Sequence, residues 1–325
     1  MTSVKGFIDR AERLSSYTKS IDLFIGGIGQ EERFARGWNI LRETGVTVNN
    51  KIIFYFNEVL NSWSDRENEE KKFDTSFCIE HSDYKLRIDL YNEIGGLLAF
   101  RKHIESSFPS IRNMNIVIDI SVMIKPYIFL LLKHLDNFNA KTLYFLYAEP
   151  ASYDILTKGT MIAKDVPGYS GAKDLRKKDA LIILLGFEGN RAVEVLNEVN
   201  PDLTIPVNGF PSYRPNFKDR SIMENKELLS EDDILKNLCY APANDPFETK
   251  NLLEEIYSKY SHKYNITIVP LGTKPMAFGS CLFAMEHKDC RIVYSYPKEY
   301  FLKPSKNWGD SWMYFVKLLE DNAIA

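Results

Sequence analysis

Five short stretches place chemistry-bearing side chains where an apolar run gives way to a polar turn. The first is Gly26-Gly27-Ile28-Gly29-Gln30-Glu31-Glu32-Arg33. Gly27-x-Gly29 resembles the opening of a dinucleotide fingerprint, but Glu32 stands where a third glycine belongs. Two carboxylates at a helix start suit its dipole and repel a pyrophosphate. The turn therefore argues against NAD or FAD. It leaves two readings: a tight strand-to-helix turn with acidic residues, or Glu31, Glu32 and Arg33 presenting charge to another ligand or to each other.

The second stretch is Asp119-Ile120-Ser121-Val122-Met123-Ile124-Lys125. Ser121 can cap the helix that follows. Asp119 lies inside an apolar strand, where a carboxylate buried alone is costly. It calls for a partner, and Arg33 or Lys125 can supply one. The third is Tyr147-Ala148-Glu149-Pro150, after TLYFLY. If Glu149 shares a cleft with Glu31 and Asp119, the three are candidate catalytic acid/base groups.

The fourth is Gly186-Phe187-Glu188-Gly189-Asn190-Arg191. Its glycines allow close backbone approach to a ligand. Glu188 and Arg191 are either ligand contacts or an i, i+3 ion pair worth a few tenths of a kcal/mol. The fifth is Leu271-Gly272-Thr273-Lys274-Pro275, between the apolar run ITIVP and the helical MAFGSCLFAME. Gly272 opens the turn, Thr273 brings a hydroxyl, Lys274 a cation, and Pro275 suits a first helical turn. A helix N-terminus with these residues suits a phosphate or carboxylate; the competing reading is a lysine near a helix start that faces solvent. The P-loop pattern is absent, so ATP hydrolysis of that kind is not implied.

Other chemistries have no signature. The five histidines and four cysteines are scattered, with no C-x-x-C and no H-E-x-x-H. No metal site is expected. No G-x-S-x-G elbow occurs, and Cys281 inside MAFGSCLFAME reads as a packed thiol. No cofactor can be named. Tyr213 and Phe217, in the polar stretch 208–220, are candidates for stacking on a base.

The elements that must position these turns alternate. Strands are expected at 21–25, 51–56, 115–120, 142–147, 180–185, 204–207, 266–270 and 291–295. Helices are expected at 31–44, 91–107, 125–135, 190–199, 247–260, 276–286 and 308–321, the second burying Ile94, Leu97, Leu98 and Ile104. Asp245, Pro246 and Glu248 form a helix-start signal. Residues 61–76 read as an exposed loop and 148–178 as a break. Apolar strands that barely alternate are covered on both faces, as in parallel sheets flanked by helices. The fold class expected is α/β, with two Rossmann-like lobes, residues 1–160 and 161–325. A single large sheet is the competing arrangement.

The chain has 325 residues, a length that suits two lobes. Its 41 basic and 44 acidic residues, net −3, argue against a general polyanion binder. The start lacks a secretory h-region, and the apolar runs fall short of the ~18–20 residues of a membrane helix. A cytoplasmic protein with reduced thiols and no membrane partner is the expectation.

The strand–Gly272-Thr273-Lys274–helix unit, followed by RIVYSYP, resembles the CARF and SAVED type of Rossmann-like ligand-sensing domain. The turns around Asp119–Lys125 and Gly186–Arg191 resemble those of Rossmann-like proteins of prokaryotic defence loci. The resemblance implies a nucleotide or oligonucleotide bound at strand carboxyl ends, antiviral defence signalling, and a partner protein or a homo-oligomer. The candidate ligand contacts, read from the turns themselves, are Gly27, Gly29, Arg33, Ser121, Lys125, Gly186, Glu188, Arg191, Gly272, Thr273 and Lys274. Effector motifs of the HEPN or nuclease kind are not found. Whether the chain is an enzyme stays open. The alternatives are a stand-alone enzyme acting on a nucleotide or nucleoside, and a structural or regulatory subunit of a defence complex.

Overall fold

The computed structural model describes residues 2–140, 142–152, 157–300 and 307–320. Fifteen strands lie within them. The chain opens with β1 (Thr2–Arg10), β2 (Ser20–Ile21), β3 (Leu23–Gly27), β4 (Thr47–Val48), β5 (Lys51–Phe56), β6 (Tyr84–Ile88), β7 (Asn115–Asp119) and β8 (Thr142–Pro150). It continues with β9 (Thr157–Asp165), β10 (Lys178–Leu184), β11 (Leu203–Gly209), β12 (Cys239–Ala241), β13 (Tyr264–Pro270) and β14 (Arg291–Tyr300), and ends with β15 (Trp308–Glu320).

Two compact units result. The first takes the described residues up to 152 together with 307–320, and the second takes 157–300. In the first unit the sheet order is β1-β15-β8-β7-β3-β5-β6. Strands β6, β5, β3, β7 and β8 are parallel, and β15 and β1 are added antiparallel. In the second unit the order is β12-β11-β10-β13-β14-β9. The first five are parallel and β9 is antiparallel to β14. Counting only the parallel strands in chain order, each unit reads 3-2-1-4-5. That is a doubly wound arrangement whose order reverses between strands 1 and 4. The α/β class with mostly parallel, helix-flanked sheets is therefore what the structure has.

The apolar runs explain the layers. Strands β3 and β5 are buried at every position, as strands covered on both faces must be. In the second unit, Leu181, Ile183 and Leu185 pack with Ala192, Val195, Leu228, Leu229 and Ile234 on one face. Helices Pro246–Tyr260 and Lys274–Glu286 pack on each other. The first of these begins as its sequence predicts: the Asp245 carboxylate accepts from the amides of Phe247 at 2.8 Å and Glu248 at 3.2 Å.

Several expectations need correction. Residues 308–321 do not form a helix: Trp308–Glu320 is β15, paired on one side with β1 and on the other with β8. Aromatic and β-branched residues here fit a pleated surface, and tertiary pairing overrides the helical spacing. Residues 307–320 thus belong to the first unit and not to a lobe running from 161 to 325. The polar stretch 61–76 is largely the helix Arg66–Ser76, capped by Asp65 and anchored by buried Phe73. The break at 148–178 contains β9. Helix Glu93–Ser107 buries Leu97, Phe100 and Ile104 but leaves Ile94 and Leu98 exposed. Strands β1 and β6 have no counterpart among the expected elements.

Candidate functional site

Ligands of open α/β sheets bind beyond the strand carboxyl ends, where the strand order reverses. Each unit has one such edge.

In the first unit that edge lies between β3 and β7. The turn after β3 packs on the turn after β7: a methyl placed on Gly29 would come within 2.7 Å of Val122 Cβ. Gly27 is the last residue of β3. Asp119 is buried at the end of β7. One of its oxygens accepts from the Gly37 amide at 3.0 Å and the other from the Ser121 amide at 2.9 Å. Gly37 is required there, because a Cβ would stand 2.3 Å from the carboxylate. Burial raises the Asp119 pKa to about 6, against the Ser121 hydroxyl and amide, the Gly37 amide and the Arg33 charge, which all lower it. The cation acting on Asp119 is thus Arg33. Lys125 stands half-buried as the first residue of helix Lys125–Asn137.

Arg33 is itself buried. Its guanidinium holds both Glu31 oxygens, at 2.8 and 2.9 Å, and donates to the Ala148 carbonyl at 2.6 Å. The Ala148 amide donates to the Ser121 hydroxyl at 2.9 Å. Glu149, also buried, accepts from Trp312 Nε1 at 2.7 Å. Glu31, Asp119 and Ser121 are therefore linked through Arg33 and Ala148 into one network that ties the β3 turn to β7 and β8. The bidentate pair and the amide-saturated carboxylate are what a buried charge requires. This is the chemistry of a locked edge.

In the second unit the edge lies between β10 and β13, and it brings together the fourth and fifth stretches. A methyl on Gly186 would stand 2.4 Å from the Leu271 carbonyl oxygen, and one on Gly272 would stand 3.1 Å from that of Leu185. At Gly186 only glycine lets these turns touch, and at Gly272 the contact is tight. Thr273 caps helix Lys274–Glu286: its hydroxyl accepts from the Met276 amide at 3.3 Å and donates to the Ala243 carbonyl at 2.5 Å. Lys274 follows, half-buried, as the first helical residue, with Pro275 behind it. Every residue from Pro275 to Met285 is buried, so this helix start is held rigidly.

Arg191 is buried and pairs with Glu188. It also donates to the Thr157 hydroxyl at 3.1 Å, the Ser295 hydroxyl at 3.2 Å, and the Ser295 carbonyl. It fastens helix Gly189–Val199 to β9 and β14. The i, i+3 pair is present, and its weight goes into packing. Tyr213 and Phe217 are likewise engaged: the Tyr213 hydroxyl donates to Ala243 at 3.0 Å, and Phe217 packs edge-on against Phe187 at 5.4 Å.

Sequence reading missed Asn208, Ser221 and Asn225. Ser221 Oγ and Asn225 Nδ2 both donate to the Gly186 carbonyl, at 3.3 and 2.7 Å. Asn208 Nδ2 donates to the Lys218 carbonyl at 3.2 Å. The available signal was Asn208 at the end of the apolar run LTIPV. Its partners on helix Phe217–Glu224 and at Asn225 carry none.

Among the described residues no group of three His, Cys, Asp or Glu is placed to hold a metal ion, and no helix is long and apolar enough to cross a membrane. No family model matches the chain, and no curated protein matches it. A solved structure described as a universal stress protein, from Pseudomonas aeruginosa, shares 9% identity with it. It covers 85% of this chain and 94% of that one, at a TM-score of 0.24.

Proposed function

We propose that this chain binds an anionic, nucleotide-like small molecule at the carboxyl edge of the second unit's sheet. The observation that carries this reading is the convergence of the Gly186 and Gly272 turns on a rigid, Thr273-capped helix start that bears Lys274. Amides, dipole and ammonium there all favour an anion. The resemblance of the Gly272–Lys274 unit to CARF and SAVED domains extends the proposal to ligand sensing in prokaryotic antiviral defence, with a partner protein or a second copy receiving the signal. The enzymatic alternative is weaker, because Glu31, Asp119 and Glu149 are each spent on protein hydrogen bonds.

Thermal-shift and calorimetric titration with mononucleotides and cyclic oligonucleotides test the reading. Stabilisation by at least one of them is expected, weakening with added salt. Folded protein that responds to none removes it.

A further inference from the structure

Strand β1 closes the first unit's sheet on one side only. It pairs with β15 and stands last in the strand order, so the other side of its nine residues has no neighbouring strand among the described residues. An open edge of this length is a template for a further strand unless proline, a bulge, a charge or a covering element blunts it. Strand β1 has no proline, its register with β15 runs unbroken from Thr2 to Arg10, and Lys5, Gly6 and Phe7 at its middle are exposed. Lys5 is the residue that could guard the edge, and its surroundings decide whether it does. It lies opposite Lys317 of β15 and forms no ion pair among the described residues. Like charges facing each other on a sheet repel, so Lys5 gains from a carboxylate on its open side.

An aromatic row leads to the same edge. Tyr144 of β8 meets Phe315 of β15 at 5.3 Å, and Phe315 stacks on Phe7 at 5.0 Å. Phe7 ends the row 37% exposed. Tyr17 lies 5.3 Å from Phe7, and its hydroxyl donates to Asp9 Oδ2 at 2.8 Å. Asp9 Oδ1 accepts from the Arg10 amide at 2.8 Å and from Arg13 at 3.4 Å. The Tyr17 hydroxyl and the Arg10 amide lower the Asp9 pKa, so the carboxylate is charged at neutral pH. Lys5, Phe7 and Asp9 alternate onto one face of β1.

Their spacing is self-complementary. In an antiparallel pair, opposed residues turn their backbone groups both toward the partner strand or both away from it. A strand paired with its own copy about a twofold axis therefore has that axis beside a single residue. With the axis at Phe7, Lys5 stands opposite the partner's Asp9 and Asp9 opposite the partner's Lys5, with Gly6 against Ile8 and Val4 against Arg10. With the axis at Gly6, Lys5 meets Phe7. With the axis at Ile8, Asp9 meets Phe7. Only the Phe7 register joins opposite charges.

We infer that this chain forms a twofold dimer in which β1 pairs antiparallel with β1 of a second copy, the axis passing Phe7. The occupant of the edge is a second copy because its own β1 supplies the matching pattern on a self-complementary patch. Two opposite-charge pairs flank a contact between the two Phe7 rings, and such cross-strand pairs are what stabilise a sheet. The interface lies outside the parallel strands of the first unit and is independent of the anion site.

Analytical ultracentrifugation of the whole chain tests this. Native protein at about 100 μM is expected to sediment as a dimer, since a micromolar Kd leaves little monomer there. Lys5→Glu sets carboxylate against carboxylate at both pairs, and Asp9→Lys sets ammonium against ammonium. Each variant alone is expected to be monomeric. Their equimolar mixture is expected to recover the dimer, because every position 5 then faces an opposite charge at position 9. Phe7→Arg brings two guanidinium groups together at the axis and leaves Asp9 and its Tyr17 bond in place. It is expected to be monomeric with an unchanged circular dichroism spectrum, which keeps the test standing even where Asp9→Lys fails to fold. Native protein that stays monomeric overturns the dimer and makes Lys5 the guard of an open edge. A dimer that persists in Lys5→Glu and Phe7→Arg overturns this interface. Folded single variants that stay monomeric when mixed overturn the Phe7 register.

Discussion

At the scale of single residues, Asp119 sits at a strand end and Lys274 at a helix start, and their substitutions carry different expectations. Asp119 resembles a catalytic carboxylate in sequence, but the fold spends it on two amides. Asp119→Ala leaves the Gly37 and Ser121 amides without acceptors, and about 1–3 kcal/mol follows for each orphan. Urea unfolding of the first unit is expected to register a loss of about 2–6 kcal/mol, with nucleotide binding intact. A pH signature accompanies this. The folded pKa of about 6 lies above the ordinary 3.8, so the folded state holds the proton more tightly across that window. The stability this group contributes is full below about 3.8 and is lost as pH rises through about 6. Asp119→Asn removes this titration. The native protein's stability relative to Asp119→Asn is expected to fall between pH 4 and pH 7, and a flat difference would show that the carboxyl is not held protonated. Lys274 carries the opposite expectation. A charge-assisted hydrogen bond contributes about 1.5–3 kcal/mol, so Lys274→Ala should weaken nucleotide binding by about ten- to a hundredfold. Lys274→Arg should restore part of it, since a planar fork replaces a point charge. Titration calorimetry beside thermal unfolding separates the two effects.

At the scale of elements, what was legible in the sequence depended on how local its cause is. The Asp245 cap and the Pro126 and Pro275 helix starts follow from residues a turn away, and all three are present. The buried parallel strands follow from unbroken apolar runs. Strand β15 was not legible, because Trp308–Glu320 owes its conformation to β1 and β8, far away in the chain. Helix Arg66–Ser76 was not legible because its single apolar anchor, Phe73, gives no period. Of the candidate site, the Gly186 and Gly272 turns could be picked out as turns, but their contact is set by strand order. Asn208 and Asn225 depend on a helix with no motif. Elements also carry their own tests. Thr273→Ala removes the helix cap and the bond to Ala243 and should cost about 1 kcal/mol, with weaker nucleotide binding as the helix start loosens. Gly186→Ala drives a methyl against the Leu271 carbonyl. Circular dichroism melting should show a clear loss of stability, and an unchanged melting curve would mean the turns do not touch.

At the scale of the whole molecule, two units repeat the 3-2-1-4-5 order but use their edges differently. The first closes its edge with the Glu31–Arg33–Ala148–Ser121–Asp119 network. The second sets a glycine contact and a capped helix start around its own. The last strand belongs to the first unit, where it separates β1 from β8. Ending the chain at residue 306 should therefore strip exchange protection from β1 and β8 while β10 and β13 keep theirs. Equal loss in both units would contradict the division. The central claim, that the ligand sits on the second unit's edge, is tested most directly by amide hydrogen exchange with and without saturating nucleotide. Protection is expected at 185–189 and 271–276, with 26–33 and 119–125 unchanged. Protection confined to 26–33 and 119–125 would place the ligand on the first unit's edge and contradict the account.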